Sequence, residues 1–251
     1  MPAVERLAAA FRNAPGLVAG DAQLVARDAY GILLKNLSLE DASDLQAALA
    51  AQGVETEVVA EEDLPGLPPA QRIRRADCLP ESLMVYDPLG RAVPVEWGQL
   101  MGIAAGVVRM IEFKQGRARR VLLGGFASLD PEWADAEYCE VVTETKFKEE
   151  HNLRLVLELI LAGGQHRYSI NAEQFAFDYL GERRTEDLGA NFVWLVRDLA
   201  RFAPQALLNR GSLRLLEDPP QAFSYPSRNA FQEEIVWLLW RAGQGLPPRA
   251  S

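Results

Sequence analysis

The sequence predicts an α+β protein, in which an N-terminal strand–helix–strand unit precedes a mostly antiparallel β segment and two C-terminal helices. Three patterns predict this class. An apolar run and an alternating segment flank a helical repeat within residues 29–66, apolar and polar residues alternate between 82 and 172, and helical periodicity returns after Asp187. The chain has 251 residues, 49% hydrophobic and 24% charged, which is an ordinary globular composition and enough to bury a core.

Residues 1–28 are predicted to form a helical lead. A helix over 2–13 has one apolar face, formed by Val4, Leu7, Ala8 and Phe11. Pro15 and Gly16 are expected to end this helix, and residues 21–28 are expected to add another turn of helix.

Residues 29–66 are predicted to form a strand–helix–strand unit. Residues 30–37 are apolar through their centre, as in a buried strand. Ser38 is a natural N-cap for the helix that follows, and Gly53 is the expected glycine after its last turn. Residues 54–60 alternate between acidic and apolar or β-branched side chains, which is typical of a second strand.

This stretch, GILLKNLSLEDASDLQAALAAQGVETEVV, resembles the opening βαβ unit of small ferredoxin-like bacterial modules, including regulatory and signal-transducing domains. The resemblance covers about thirty residues and consists of a strand, a capped helix and a glycine stop. It implies a fold for this segment and no particular activity, because folds host many functions.

Residues 67–81 are predicted to be a linker. They follow the acidic and proline-rich run EEDLPGLPP at 61–69, a composition typical of connecting segments. The sequence leaves open an alternative, in which these residues connect two strands of one sheet.

Residues 82–203 are predicted to be an antiparallel β segment closed by a helix, an outline that resembles a pleckstrin-homology-like barrel. A turn at 88–91 joins strands at 82–87 and 92–97, and Pro94 requires an edge position there. Residues 98–113 fit either a helix or a strand. We expect a turn and then a strand at 106–113, which pairs with 120–123 across Lys114–Gly116.

A further strand at 138–148 and a hairpin at 153–172 complete the β segment. Leucines alternate from Leu153 to Leu161, and Gly163–Gly164 suits a tight loop. This register pairs Leu157 with Ile170, Leu159 with Tyr168, Glu158 with Ser169, and Ile160 with Arg167. The last two pairs are expected to face solvent.

Two helices close the chain. Asp187 is expected to cap a helix over 188–203, and Asn229 a helix over 230–242 within a C-terminal extension at 204–242. Residues 243–251 are predicted to be a flexible tail.

The charge balance limits the partners. Lys+Arg 26 against Asp+Glu 35 gives a net charge of −9, which argues against nucleic acid as a partner because phosphate contacts need clustered positive charge. Nucleic-acid binding would require the arginines at 72–75 and 109–120 to form one stripe. The acidic residues between 128 and 150 indicate a solvated face, with a weak metal site as the alternative.

We expect a cytoplasmic protein without a membrane span, metal or cofactor. No apolar run in the sequence approaches the ~20 residues of a span, and no secretory signal is recognisable. The two cysteines, Cys78 and Cys139, fit free thiols of a reducing compartment, with a disulfide between them as the alternative. They have no metal-binding spacing.

The favoured function is a non-enzymatic protein-interaction or regulatory module that self-associates, because no group of catalytic side chains converges in the sequence. The last helix is apolar on all sides and must be covered on both. Its aromatic residues are the interface candidates, since aromatic anchors dominate interfaces: Phe231, Trp237 and Trp240. Burial of these residues in the core is the alternative.

A second hypothesis is an enzyme or small-ligand-binding protein with a pocket between the N-terminal unit and the β segment. Polar and aromatic side chains of the linker and turns would line that pocket: Arg72, Arg75, Tyr86, Asp87 and Trp97.

Overall fold

A computed structural model describes residues 4–12, 19–124, 138–163 and 166–245. It contains helices together with antiparallel and mixed sheets, which confirms the predicted α+β class. The chain forms two compact units. One unit comprises the residues up to Arg109 and from Arg154 onward, and the other is Met110–Leu153.

Three helices begin the first unit: α1 (Val4–Phe11), α2 (Ala19–Asp28) and α3 (Leu39–Ala51). They share a core of their own, formed by Leu7, Phe11, Ala22, Ala26, Leu45, Leu49 and Val54. The predicted cap of α3 is confirmed, because the backbone N–H of Asp41 donates to Ser38 Oγ over 3.1 Å. Gly53 follows α3 with φ +71°, as a terminating glycine does.

The strands predicted on either side of α3 are wrong. Residues 31–37 and 54–60 are extended or irregular in the structure, and Tyr30 makes only a local bridge to Ile32. The apolar run contributes to the helical core instead, because Leu33, Leu34 and Leu37 pack against it. An apolar run of this length fits either role, and here helix packing uses it.

The predicted linker at 67–81 contains two short strands, β1 (Ala70–Arg72) and β2 (Ala76–Cys78). Strand β2 pairs with β3 (Ser82–Tyr86), which pairs with β4 (Ala92–Glu96), in a three-stranded antiparallel sheet. The β3–β4 hairpin is the predicted one. Pro94 lies on the edge strand β4, where its missing N–H disturbs no ladder.

The larger sheet has the order β1-β7-β6-β5-β8, and β9 also pairs with β5. Its strands are β1, β5 (Leu100–Gly124), β6 (Tyr138–Leu161), β7 (Arg167–Asn171), β8 (Leu207–Leu208) and β9 (Ser224–Tyr225). The predicted β6–β7 register is confirmed, with Leu157 opposite Ile170 and Leu159 opposite Tyr168. The predicted strand at 138–148 is part of β6.

Strand β5 differs from the prediction. It begins at Leu100 and continues through Lys114–Gly116 without a turn, so the expected pairing of 106–113 with 120–123 is wrong. Strands β1, β8 and β9 come from outside 82–203 and pair in parallel. The sheet therefore departs from the pleckstrin-homology-like outline, which is antiparallel and confined to that segment.

The described residues of the unit Met110–Leu153 are 110–124, which belong to β5, and 138–153, which belong to β6. The basic residues predicted as a cluster between 109 and 120 lie on β5. Residues 125–137, which hold part of the predicted acidic run, are outside the described residues.

Helix α4 (Leu188–Phe202) packs on one face of the large sheet and shares a core with it and with the three-stranded sheet. The indole of Trp97 stacks on Phe202 with ring centroids 5.0 Å apart. Asp187 caps α4 as predicted, by accepting a hydrogen bond from the Gly189 N–H.

The opposite sheet face is also buried. Glu158, Ile160, Arg167 and Ser169 are at most 8% exposed, so the expectation that they face solvent is wrong. Arg228, the first residue of α6 (Arg228–Gly243), forms an ion pair with Glu158 and so places the start of α6 beside this face. Ser227, and not the predicted Asn229, caps α6. The helix ends before Gln244, and the rest of the predicted tail, 246–251, is outside the described residues.

The free edge of β5 is closed by a side chain. Strand β8 pairs with Gly102–Ile103 and β9 with Val107–Val108, which leaves Ala105 between them. The Ala105 N–H donates to Asn209 Oδ1 over 2.9 Å, and Asn209 Nδ2 donates to the Ala105 carbonyl over 3.0 Å. The carboxamide thus replaces one residue of a neighbouring strand.

Helix α5 (Arg210–Leu216) begins directly at this point. Asn209 also caps it, because Asn209 Oδ1 accepts a hydrogen bond from the Ser212 N–H over 2.9 Å. The approach of α5 to β5 is so close that a Cβ on Gly211 would lie 1.8 Å from the Ala105 carbonyl oxygen. Only glycine fits there without a shift of the backbone.

We predict that Gly211→Ala lowers the free energy of unfolding by about 3 kcal/mol or more, because the added methyl overlaps backbone and not a movable side chain. Gly243→Ala is the matched control, since a Cβ at Gly243 meets nothing within 4 Å. Urea denaturation measures both. Equal stability of the two variants would contradict the close approach of α5 to β5.

Candidate interaction surface

Two residues of the hypothetical pocket lie together. The Arg75 guanidinium is 4.3 Å from the centroid of the Tyr86 ring. The Tyr86 hydroxyl donates to Asp77 over 2.7 Å, and this hydrogen bond raises the pKa of Tyr86. Asp77 also lies 3.6 Å from Arg75. The three form a surface cluster on the three-stranded sheet.

The other pocket candidates have separate roles. Asp87 holds the β3–β4 turn by accepting hydrogen bonds from the N–H groups of Leu89 and Arg91, and the bond from Arg91 lowers the pKa of Asp87. Trp97 is a core residue whose Nε1 donates to the Leu79 carbonyl over 2.9 Å. Arg72 is exposed on β1.

The aromatic residues of α6 are covered to different degrees. Phe231 is 0% exposed and packs edge-on against Tyr225, so its assignment to an interface is wrong. Trp237 is half-buried, and its ring lies edge-on to Tyr30 with centroids 5.1 Å apart. A Cβ on Gly31 would lie 2.6 Å from the Trp237 ring. Trp240 is half-buried, and its role in an interface stays a prediction.

Arg210 joins the segment after α2 to α6. Its guanidinium lies 3.6 Å from the Tyr30 ring centroid and 4.6 Å from that of Phe223. Arg210 Nε donates to the buried Glu234 on α6 over 3.0 Å. The charge of Arg210 is therefore satisfied within the chain, and its role is structural.

Glu158 is a buried carboxylate with two basic partners. Arg167 Nη1 lies 3.1 Å from Glu158 Oε2, and Arg228 bonds the other oxygen. Burial raises the pKa of Glu158, and the two guanidinium groups oppose this shift. Because each carboxylate oxygen bonds one guanidinium group, Glu158 links the sheet to helix α6.

The Cys78 thiol lies near three polar side chains that bond one another, those of Tyr179, Asp198 and Arg183. Burial raises the pKa of Cys78 to about 12, so the thiolate is a small fraction at neutral pH and the residue is a poor nucleophile. Asp198 accepts a hydrogen bond from Tyr179 over 3.2 Å and two from Arg183 over 3.0 and 2.8 Å. Cys78 is a free thiol.

The outward side of α4 exposes a tryptophan. Trp194 is 37% exposed, and it lies outside the buried apolar stripe that Phe192, Leu195 and Leu199 form on α4. Arg197 and Arg201 share its face, because residues three and seven positions apart align on a helix. We call Arg183, Trp194, Arg197 and Arg201 the Trp194 surface.

The side chains of the Trp194 surface are held in place. Arg183, fixed by Asp198, lies 5.3 Å from the Trp194 ring centroid, and Arg197 lies 5.9 Å from it. Arg197 Nη2 also donates to the Glu217 carbonyl over 3.0 Å. Cation–π contacts of this kind are worth about 0.5–1 kcal/mol each at exposed sites. The tryptophan is thus both exposed and oriented.

Sequence reasoning missed this surface. The helix over 188–203 was predicted from its apolar stripe, and Trp194 lies off that stripe. An aromatic residue on the polar side of an amphipathic helix, with arginines three and seven residues later, is the signal that identifies it.

Comparison with known proteins gives no family. No protein-family model matches the chain, and neither curated proteins nor solved structures match it. Within the described ranges, no group of three or more His, Cys, Asp or Glu is placed to hold a metal ion. None of the helices in those ranges is both long and apolar enough to cross a membrane.

We predict that Glu158→Ala lowers the free energy of unfolding by about 3–5 kcal/mol, because it leaves two guanidinium groups without their shared carboxylate. Glu217→Ala is the matched control, since its ion pair with Arg214 is 41–49% exposed and is worth at most about 1 kcal/mol. Chemical denaturation separates the two. A loss below about 1 kcal/mol for Glu158→Ala would show that Glu158 is not the link described.

Proposed function

We propose that this chain is a non-enzymatic protein-interaction module and that the Trp194 surface is its binding site. The observation that supports this proposal is the exposed Trp194 indole, which has the guanidinium groups of Arg183 and Arg197 within 6 Å of its ring centroid. Tryptophan and arginine are the residue types most enriched among the few that dominate binding energy at interfaces.

The fixed side chains support the same function. Ordering a long side chain on binding costs about 0.5–1.5 kcal/mol. Arg183 and Arg197 are already ordered by Asp198 and by the Glu217 carbonyl. Binding of a partner therefore requires little further ordering of these two side chains, which makes the free energy of binding more favourable.

The ionisable groups in the interior support a non-enzymatic function. Glu158 and Glu234 are each bound to arginine, and the thiol of Cys78 is protonated at neutral pH. A free, half-buried thiol also supports a cytoplasmic location as part of the proposal, because thiols persist in reducing compartments.

The proposal is tested by capture with the immobilised full chain from a lysate of the cells that encode it. We expect the chain to retain at least one protein that Trp194→Ala does not, because loss of a central anchor costs about 2 kcal/mol or more, roughly a 30-fold loss of affinity.

Leu89→Ala is the matched control, because Leu89 is 78% exposed on the β3–β4 turn. We expect this variant to retain the same proteins as the unchanged chain. Identical capture by all three chains, with both variants folded by circular dichroism, would refute the Trp194 surface as the binding site.

A further inference from the structure

One exposed segment has the chemistry complementary to the Trp194 surface. Residues Glu61–Asp63 form a single 3-10 turn, and all three are exposed. Leu64 follows and is partly exposed. In the part of the chain that the structure describes, the carboxylates of this turn have no ion-pair partner. We call residues 61–64 the acidic segment.

The Trp194 surface contains three arginines, and among the described residues only one of them is paired with a carboxylate. Asp198 neutralises Arg183. Arg197 bonds only a carbonyl, and Arg201 lies over the Phe202 ring at 5.6 Å. Neither of these two arginines has a carboxylate partner among the described residues. The surface therefore attracts carboxylates, although the chain has a net charge of −9.

We propose that the Trp194 surface of one copy of this chain binds the acidic segment of a second copy. This inference rests on the proposed function and names its partner. Two chains of charge −9 repel each other in general. A contact between copies is therefore most favourable where a basic aromatic surface meets an acidic segment, because such complementarity sets both orientation and association rate.

The spacings of the two surfaces agree. Arg197 and Arg201 are four residues apart on a helix, and so about 6 Å apart along its axis. Glu61 and Asp63 are two residues apart in a 3-10 turn, so they are offset by about 4 Å along its axis and by about 120° around it. The arginine side chains are long enough to reach both carboxylates, and we expect Leu64, the next residue, to lie against the Trp194 indole.

The two contacts are reciprocal in a symmetric dimer. Each copy offers one Trp194 surface and one acidic segment, so a two-fold axis forms both contacts at once and leaves neither unused. The dimer is the closed form of this pairing.

Light scattering of the full chain tests the proposal. At about 50 mM NaCl and rising concentration up to about 1 mM, we expect the mass to increase from 27.8 kDa toward twice that value. At about 500 mM NaCl we expect a monomer, because salt screens exposed charges.

Charge reversal on each side identifies the contact. Arg197→Glu with Arg201→Glu, and separately Glu61→Lys with Asp63→Lys, are each expected to give a monomer at low salt. An equimolar mixture of the two variants is expected to give the dimer mass, because each surface again meets a segment of opposite charge. Arg72→Glu with Arg74→Glu is the control of equal charge change at exposed positions, and it is expected to associate as the unchanged chain does.

A chain that is monomeric at low salt at every concentration overturns the proposal. So does a dimer that persists in either reversed variant, or a mixture that stays monomeric. The proposed function fails separately, when Trp194→Ala leaves capture unchanged. A monomeric chain whose capture still depends on Trp194 would mean that the surface binds a different protein.

Discussion

The hydrogen bonds between the Asn209 carboxamide and the backbone of Ala105 are the interaction on which the rest of the structure depends. Strand β5 lies beside β6 in the large sheet, and its outer edge is covered only in part by the two-residue strands β8 and β9. Asn209 and Ser212, both at most 1% exposed, satisfy the backbone between them. A buried amide left without a partner costs about 1–3 kcal/mol. Detachment of Asn209 and α5 from the sheet would leave the Ala105 amide in that state, which favours their attachment to β5.

The proposed binding surface follows from the same interaction. Asn209 fixes the start of α5, and the end of that helix is tied to α4, because Arg197 donates to the Glu217 carbonyl. The outward face of α4 is therefore supported from both the core and α5. On the other sheet face, α6 is held by the ion pair between Arg228 and Glu158. An exposed tryptophan on such a rigid frame costs little entropy when a partner binds it.

The sequence predicts the elements that have local signals. The caps Ser38 and Asp187 and the β6–β7 register are of this kind, since each depends on residues near in sequence. Strands β1, β8 and β9 are two or three residues long and pair in parallel with distant strands, so no periodicity marks them. The alternation of β6 predicts a solvated Glu158, and nothing local marks its partner Arg228, which is seventy positions away. The apolar stripe of α4 predicted its buried face, while the Trp194 surface depends on Arg183 and Asp198, which only the fold brings together.

The most direct test of this account is the hydrogen-exchange rate of the Ala105 amide in the full chain, measured by NMR. If Asn209 and Ser212 close the edge of β5, this amide exchanges only through global unfolding, and its protection equals that of the Leu159 amide in the middle of the sheet. An Ala105 amide that exchanges at the rate of an exposed loop would contradict the account, because the edge of β5 would then be open.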